Sequence, residues 1–191
     1  MAIANKYTDF FGNLITSEQA QQLEQYIVQV FNDGVHVKNE IYSKEGLKNI
    51  LYIINSSSQI DDILQEDSNP SFEISYQQSV YTVVENLAYQ NSILIGKTVI
   101  VFKDDNEICI SKFNVLQDTP LFNSTEKFSN VDDEVKYIFT YDFNGNCVMI
   151  YDNLQDQADI FPNTIGVDPD QTFTWVGFKY YQFAEPLIPL S

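Results

Sequence analysis

Tyr137-Ile138-Phe139-Thr140-Tyr141-Asp142-Phe143-Asn144-Gly145-Asn146-Cys147-Val148-Met149-Ile150-Tyr151 sets two β-prone runs on either side of one Asn-Gly pair. Asn-Gly tolerates positive φ at both central positions of a type I′ turn, so the stretch reads as a hairpin with a two-residue loop. That loop places Tyr141 opposite Val148 and Phe139 opposite Ile150, with Phe143 on the same side. Ile138, Thr140, Cys147, Met149 and Tyr151 take the other side. Both sides are largely apolar. The expectation is a central hairpin covered by helices on one face and at least partly covered on the other.

Upstream of it, residues 114–134 read as loop, with Pro120 and the acidic triplet Asp132-Asp133-Glu134. Before that loop a second hairpin is expected. Ile93–Ile95 and Thr98–Phe102 are apolar and β-branched, interrupted by Gly96, and Glu107–Phe113 returns after Asp104-Asp105-Asn106. A two-residue Asp105-Asn106 loop would set Asp104 opposite Glu107, two like charges. A three-residue loop pairs Lys103 with Glu107, Phe102 with Ile108 and Ile100 with Ile110, and favourable cross-strand pairs select it. Asn106 then takes the left-handed position.

Helical spacing dominates the reading of the first third. Ala20, Leu23, Ile27, Val30 and Phe31 recur at that spacing after a Thr16 or Ser17 cap, and Asp33-Gly34 offers a C-terminal stop. Helices are therefore expected near 17–33 and 44–55, the second carrying Leu47, Ile50, Leu51 and Ile54. A short third helix is expected from the capping-box spacing of Ser58 and Asp61. Residues 72–77 alternate as a strand, 80–90 fit a helix, and Thr172–Phe178 reads as a last strand. Residues 1–15 read as an arm that packs. Pro186–Leu190 is apolar and extended and needs a groove of its own domain or of a partner. The fold class expected is α+β, N-terminal helices packed on an antiparallel sheet of consecutive hairpins. The expected organisation is one domain over 1–191, with a helical part at about 1–66 and a mainly β part at about 70–191.

The totals limit function more than they specify it. The 191 residues carry 27 acidic and 10 basic side chains, a net charge of −17, and every basic residue is lysine. Ordinary nucleic-acid binding is not expected, since phosphate contacts want clustered lysine and arginine. Met1–Tyr7 has no apolar signal core, and no apolar run approaches the length of a membrane span, so a cytoplasmic location is expected. Cys109 and Cys147 share no metal motif and are expected to be buried, reduced thiols.

Catalytic signatures fail one by one. His36 is the single histidine, with no catalytic motif around it, and is expected on a surface loop. The seven glycines are scattered, and none opens a phosphate-binding loop. Asp152, Asp156 and Asp159 lack the spacing of a calcium loop. Tyr180, Tyr181 and Phe183 could stack on a sugar or base but fit core or sheet-edge positions better. No cofactor, metal or catalytic residue is expected. The general profile, a small acidic α+β chain without catalytic residues, is similar to that of many bacterial immunity proteins that neutralise basic toxins. That similarity is one of type and rests on no particular residues.

The leading expectation is a non-enzymatic acidic binding protein, an immunity protein or inhibitor of a basic toxin or other basic protein. Its partner-binding residues would be Asp104, Asp105, Asp132, Asp133 and Glu134, carried on loops before and within the hairpins. The alternative is a structural or self-assembling protein, viral or bacterial. An enzyme using only carboxylates and tyrosines ranks last.

Overall fold

The computed structural model describes residues 2–153 and 159–190. Its architecture is mainly β: twelve strands, with α-helices of only four residues (α1, Ser17–Ala20) and seven residues (α2, Ile60–Glu66). The α+β arrangement with N-terminal helices on a sheet is therefore overturned. The chain divides into two compact units, Met1–Ser75 with Glu85–Ile95 and Tyr76–Val84 with Gly96–Ser191.

In the first unit the strands are β1 (Ile3–Thr8), β2 (Leu14–Ile15), β3 (Gln25–Asn32), β4 (Val35–Ser43), β5 (Gly46–Ile54) and the start of β6 (Ser71–Gln78). Of the helix expected at 17–33 only α1, capped by Thr16, forms; β3 takes Gln25–Asn32, and β5 replaces the helix expected at 44–55. The local sequences explain both. Gln-Tyr-Ile-Val-Gln-Val-Phe-Asn alternates about Val28, which is buried, and Ile50, Ile53 and Ile54 favour the pleat through β-branching. Asp33-Gly34 is not a helix stop. Both residues have positive φ (47° and 84°) and close a two-residue turn in which Asn32 pairs with Val35. β5 and β6 run parallel, and parallel neighbours need a crossover. A 3-10 turn (Ser57–Gln59) leading into α2 supplies it, as the short third helix predicted. Ile60, Ile63 and Leu64 then pack with Ile54, Phe72 and Leu87. Residues 81–90 form β7 (Tyr81–Gln90) rather than a helix, and the chain passes between the units within β6, within β7 and within β8 (Ile93–Lys103). His36 lies on β4, not on a loop, stacked on Phe31 at 4.9 Å with Nε2 2.8 Å from the Asn39 side-chain oxygen.

The second unit is a meander. β8 runs on through Gly96 and is followed by β9 (Asn106–Asn114), β10 (Thr119–Val131), β11 (Glu134–Tyr141) and β12 (Cys147–Asp152), each antiparallel to the next. The stretch expected as loop at 114–134 is thus mostly β10, the longest strand at 13 residues. No strand forms at Thr172–Phe178, and among the described residues no helix covers the central hairpin. Instead the irregular segment from Ile160 to Ile188 covers one face of the meander, with Phe173, Trp175, Phe178, Tyr181 and Ala184 packed around Phe139 and Ile150.

The central hairpin keeps Phe139 opposite Ile150 but pairs Tyr141 with Cys147, Val148 being the extra residue of a bulge. Its turn is not type I′. Only Gly145 has positive φ, and the Asp142 carboxylate accepts from the amides of Asn144 and Asn146, both at 2.9 Å. That side chain imposes a longer loop on a sequence whose Asn-Gly pair favours a tighter one. The neighbouring hairpin also differs from expectation. Ile100 pairs with Ile110 as expected, but Lys103 pairs with Asn106 and Phe102 with Glu107, with a bulge at Ile108. Asp104 and Asp105, not Asn106, are left-handed, with φ of 49° and 65°.

Candidate functional site

The five acidic residues singled out from the sequence sit on two turns of the second unit. Asp104 and Asp105 join β8 to β9. Asp132 and Asp133 (φ 51° and 63°) join β10 to β11, closed by a Val131–Glu134 pair. Each turn has two left-handed central residues, the signature of type I′. Because β9 and β10 are antiparallel neighbours, both turns emerge at the same end of the meander. A hydrogen bond joins them: the Asn106 side-chain amide donates to the Asp133 carboxylate at 3.0 Å. The Asn130 side chain adds a second link between β10 and β9, donating to the Glu107 carbonyl at 2.9 Å. Asp104, Asp105, Asp132, Asp133 and Glu134 are all exposed. Further down the strands, partial burial and then the charge of Glu126 push the Glu107 carboxyl up, which favours its neutral form. The arrangement offers carboxylates to a basic surface and contains no nucleophile–base pair.

One polar residue went unnoticed in the sequence. Across the five strands runs a row of cross-strand partners, Val101, Cys109, Lys127, Phe139 and Ile150, every one with 0% exposure. Lys127 is its centre. Its ammonium donates to the carbonyls of Tyr180 (2.9 Å), Phe183 (2.8 Å) and Pro186 (2.9 Å), which satisfies its three hydrogens. It also lies 3.7 Å from the centroid of the Tyr180 ring. Burial pushes the ammonium down to about 8 and the Cys109 thiol up to about 11. A perturbed lysine in a cleft would suggest chemistry. Here every hydrogen is committed to main chain and the covering segment shuts out substrate, so the group holds structure. Cys147 is buried as well, its thiol also pushed up to about 11 by burial, and both cysteines are free, as expected.

Elsewhere, Asp159, Asp168 and Asp170 line a shallow groove with Phe161 and Thr164, and the Asp168 carboxylate accepts from the Asp170 amide at 2.9 Å. Asp156 lies outside the described residues. Among the described residues no group of three or more metal-ligating side chains gathers, and no helix is long and apolar enough to cross a membrane. No family model, curated protein or solved structure matches the chain. Neither the fold nor these comparisons support the immunity or inhibitor reading, which is dropped along with the α+β profile it leaned on.

Proposed function

We propose that this chain is a non-enzymatic binding protein that meets a basic partner through its paired acidic turns. One observation carries the reading: the Asn106–Asp133 hydrogen bond joins two separate hairpin tips, so five exposed carboxylates share one site on a chain of net charge −17. A rigid meander holding short charged turns suits recognition, since the strands fix the charges in space and the tips stay accessible. Long-range attraction would speed encounter and disfavour acidic competitors. The test is association kinetics with a basic protein captured by the native chain. The on-rate should fall by about tenfold or more between about 0.05 and 0.5 M salt, as the Debye length contracts to a few ångströms. Reversing Asp132, Asp133 and Glu134 to lysine should lower the on-rate more than it raises the off-rate. Binding indifferent to both would defeat the proposal. A native chain that elutes as a large polymer would favour the structural alternative.

A further inference from the structure

The segment that covers the meander is attached differently from the strands beneath it. Strands β8 to β12 are joined to their neighbours in sequence by ladders of several residue pairs, each interrupted by one bulge or irregularity. Near the end of the chain, main-chain ties are single: Cys147 donates to the Gln182 carbonyl at 3.1 Å and Ala184 to the Gly145 carbonyl at 2.8 Å. Past Ala184 the attachment passes to side chains. Lys127 holds the Pro186 carbonyl, and Leu187 and Ile188 pack on the cluster of Val83, Val99, Val101, Ile108 and Cys109, while the bond from the Tyr180 hydroxyl to the Leu187 carbonyl stays within the segment; upstream, the Tyr141 hydroxyl of β11 donates to the Tyr181 carbonyl at 3.0 Å. Lys127 thus grips the segment at residues 180, 183 and 186, and it sits directly across the strands from Cys109.

We propose that Lys179–Leu190 is a strap that opens as a unit while the meander stays folded, with the Lys127 ammonium as its lock and Cys109 as the group it uncovers. Docking the strap and burying the lysine are one event. Lifting the strap breaks three charge-assisted hydrogen bonds but returns the ammonium to water, and that recovered hydration lowers the cost of opening. The ladders beneath do not depend on the strap for their own hydrogen bonds. Opening therefore lies below global unfolding on the free-energy scale.

Native-state thiol labelling tests this. The full chain is exposed to a small alkylating reagent in sub-denaturing urea, and Cys109 and Cys147 are distinguished by peptide mass. The urea dependence of Cys109 labelling reports how much surface its opening exposes. A slope well below that of global unfolding, read from Trp175 fluorescence, is the expected result. A Cys109 slope equal to the global one would overturn the strap. Lys127→Met should speed Cys109 labelling by about 100-fold while amide protection at Phe139, inside the β10–β11–β12 ladders, persists. An unchanged rate would remove Lys127 as the lock. Should Lys127→Met not fold, Tyr141→Phe takes its place. It deletes the bond from the Tyr141 hydroxyl on β11 to the Tyr181 carbonyl of the strap and should speed labelling by about tenfold, and no change would count against the strap.

Discussion

Four aspartates in the two acidic turns occupy a backbone region that L residues enter at a cost, and the size of that cost can be measured. Asp105 has φ of 65° and Asp133 of 63°, each at the second central position of a two-residue turn, where glycine is favoured. Left-handed backbone costs a residue with a Cβ roughly 1–2 kcal/mol, and aspartate sits toward the lower end because its short side chain bonds locally. Asp105→Gly should therefore stabilise the chain by about 1 kcal/mol, less the extra backbone entropy that glycine loses on folding, roughly 0.5 kcal/mol. Asp133→Gly removes the same strain but also the acceptor of the 3.0 Å bond from Asn106, an exposed interaction worth about 0.5–1 kcal/mol. Its net effect should lie near zero or slightly below. The assay is urea denaturation followed by the fluorescence of Trp175, the single tryptophan. Running it at low salt and at about 0.5 M separates strain from charge, because relief of like-charge repulsion fades with salt and relief of strain does not. Destabilisation by Asp105→Gly at both salts, or equal effects of the two substitutions, would refute the reasoning. The trade is informative in itself: Asn-Gly would make a more stable turn, and the chain holds carboxylates there instead.

Other expectations follow from the second unit. Phe139→Ala should cost about 3–5 kcal/mol by chemical denaturation, since the ring is fully buried and touches Tyr137, Phe173, Trp175, Phe178 and Tyr181. Gly145→Ala should destabilise the central hairpin, because φ is 82° and the new methyl would sit 3.2 Å from the Phe122 ring; thermal melting reads the loss. Hydrogen bonds from Asn146 and Asn144 hold the Asp142 carboxyl below its usual range, so its contribution is present above pH 3.8 and lost as pH falls below it. Asp142→Asn should accordingly flatten the acid limb of a stability–pH profile. Burial keeps the Cys147 thiol protonated up to about 11 against 9.0 unperturbed. The stability it contributes is whole below pH 9.0 and lost as pH rises to about 11, so Cys147→Ala should weaken the alkaline decline.

Turn chemistry was more legible in this chain than strand identity. The Asp104-Asp105 turn is legible to within one residue, whereas Asp132 and Asp133 read from the sequence only as the end of a loop over 114–134. The union of the two turns at one end was not legible, since it depends on β10 being a strand. That strand was hidden by Pro120 and by its own alternation. In Thr125-Glu126-Lys127-Phe128 the pattern points Phe128 inward and Lys127 outward, whereas the fold buries Lys127 completely. No local rule recovers this, for the acceptors of the lysine lie 53 to 59 residues further on. The helix errors share another cause. In β3 the spacing Ile27, Val30, Phe31 satisfies a helical stripe, while Val28, which that stripe omits, is the most buried residue of the strand. Short apolar runs fit both periods, and β-branched content is the better arbiter here. Asp33-Gly34 compounds the ambiguity, since a glycine of positive φ ends helices and turns hairpins alike.

The grip of Lys127 on Tyr180, Phe183 and Pro186 also sets an order in time. During synthesis β8 to β12 can pair hairpin by hairpin as each strand appears, closing short loops quickly. The ammonium must then wait for residues 180 to 186 before its acceptors exist, and until that moment the Val101, Cys109 and Lys127 part of the row lies bare. A nascent chain halted before residue 180 should thus expose an apolar sheet face with a lysine at its centre. Such a face is the kind that chaperones and misassembly both seize. The residue that fastens the finished molecule is also what keeps its unfinished form from being wholly greasy. Stalled chains carrying Lys127→Met should therefore aggregate sooner than stalled chains of the native sequence.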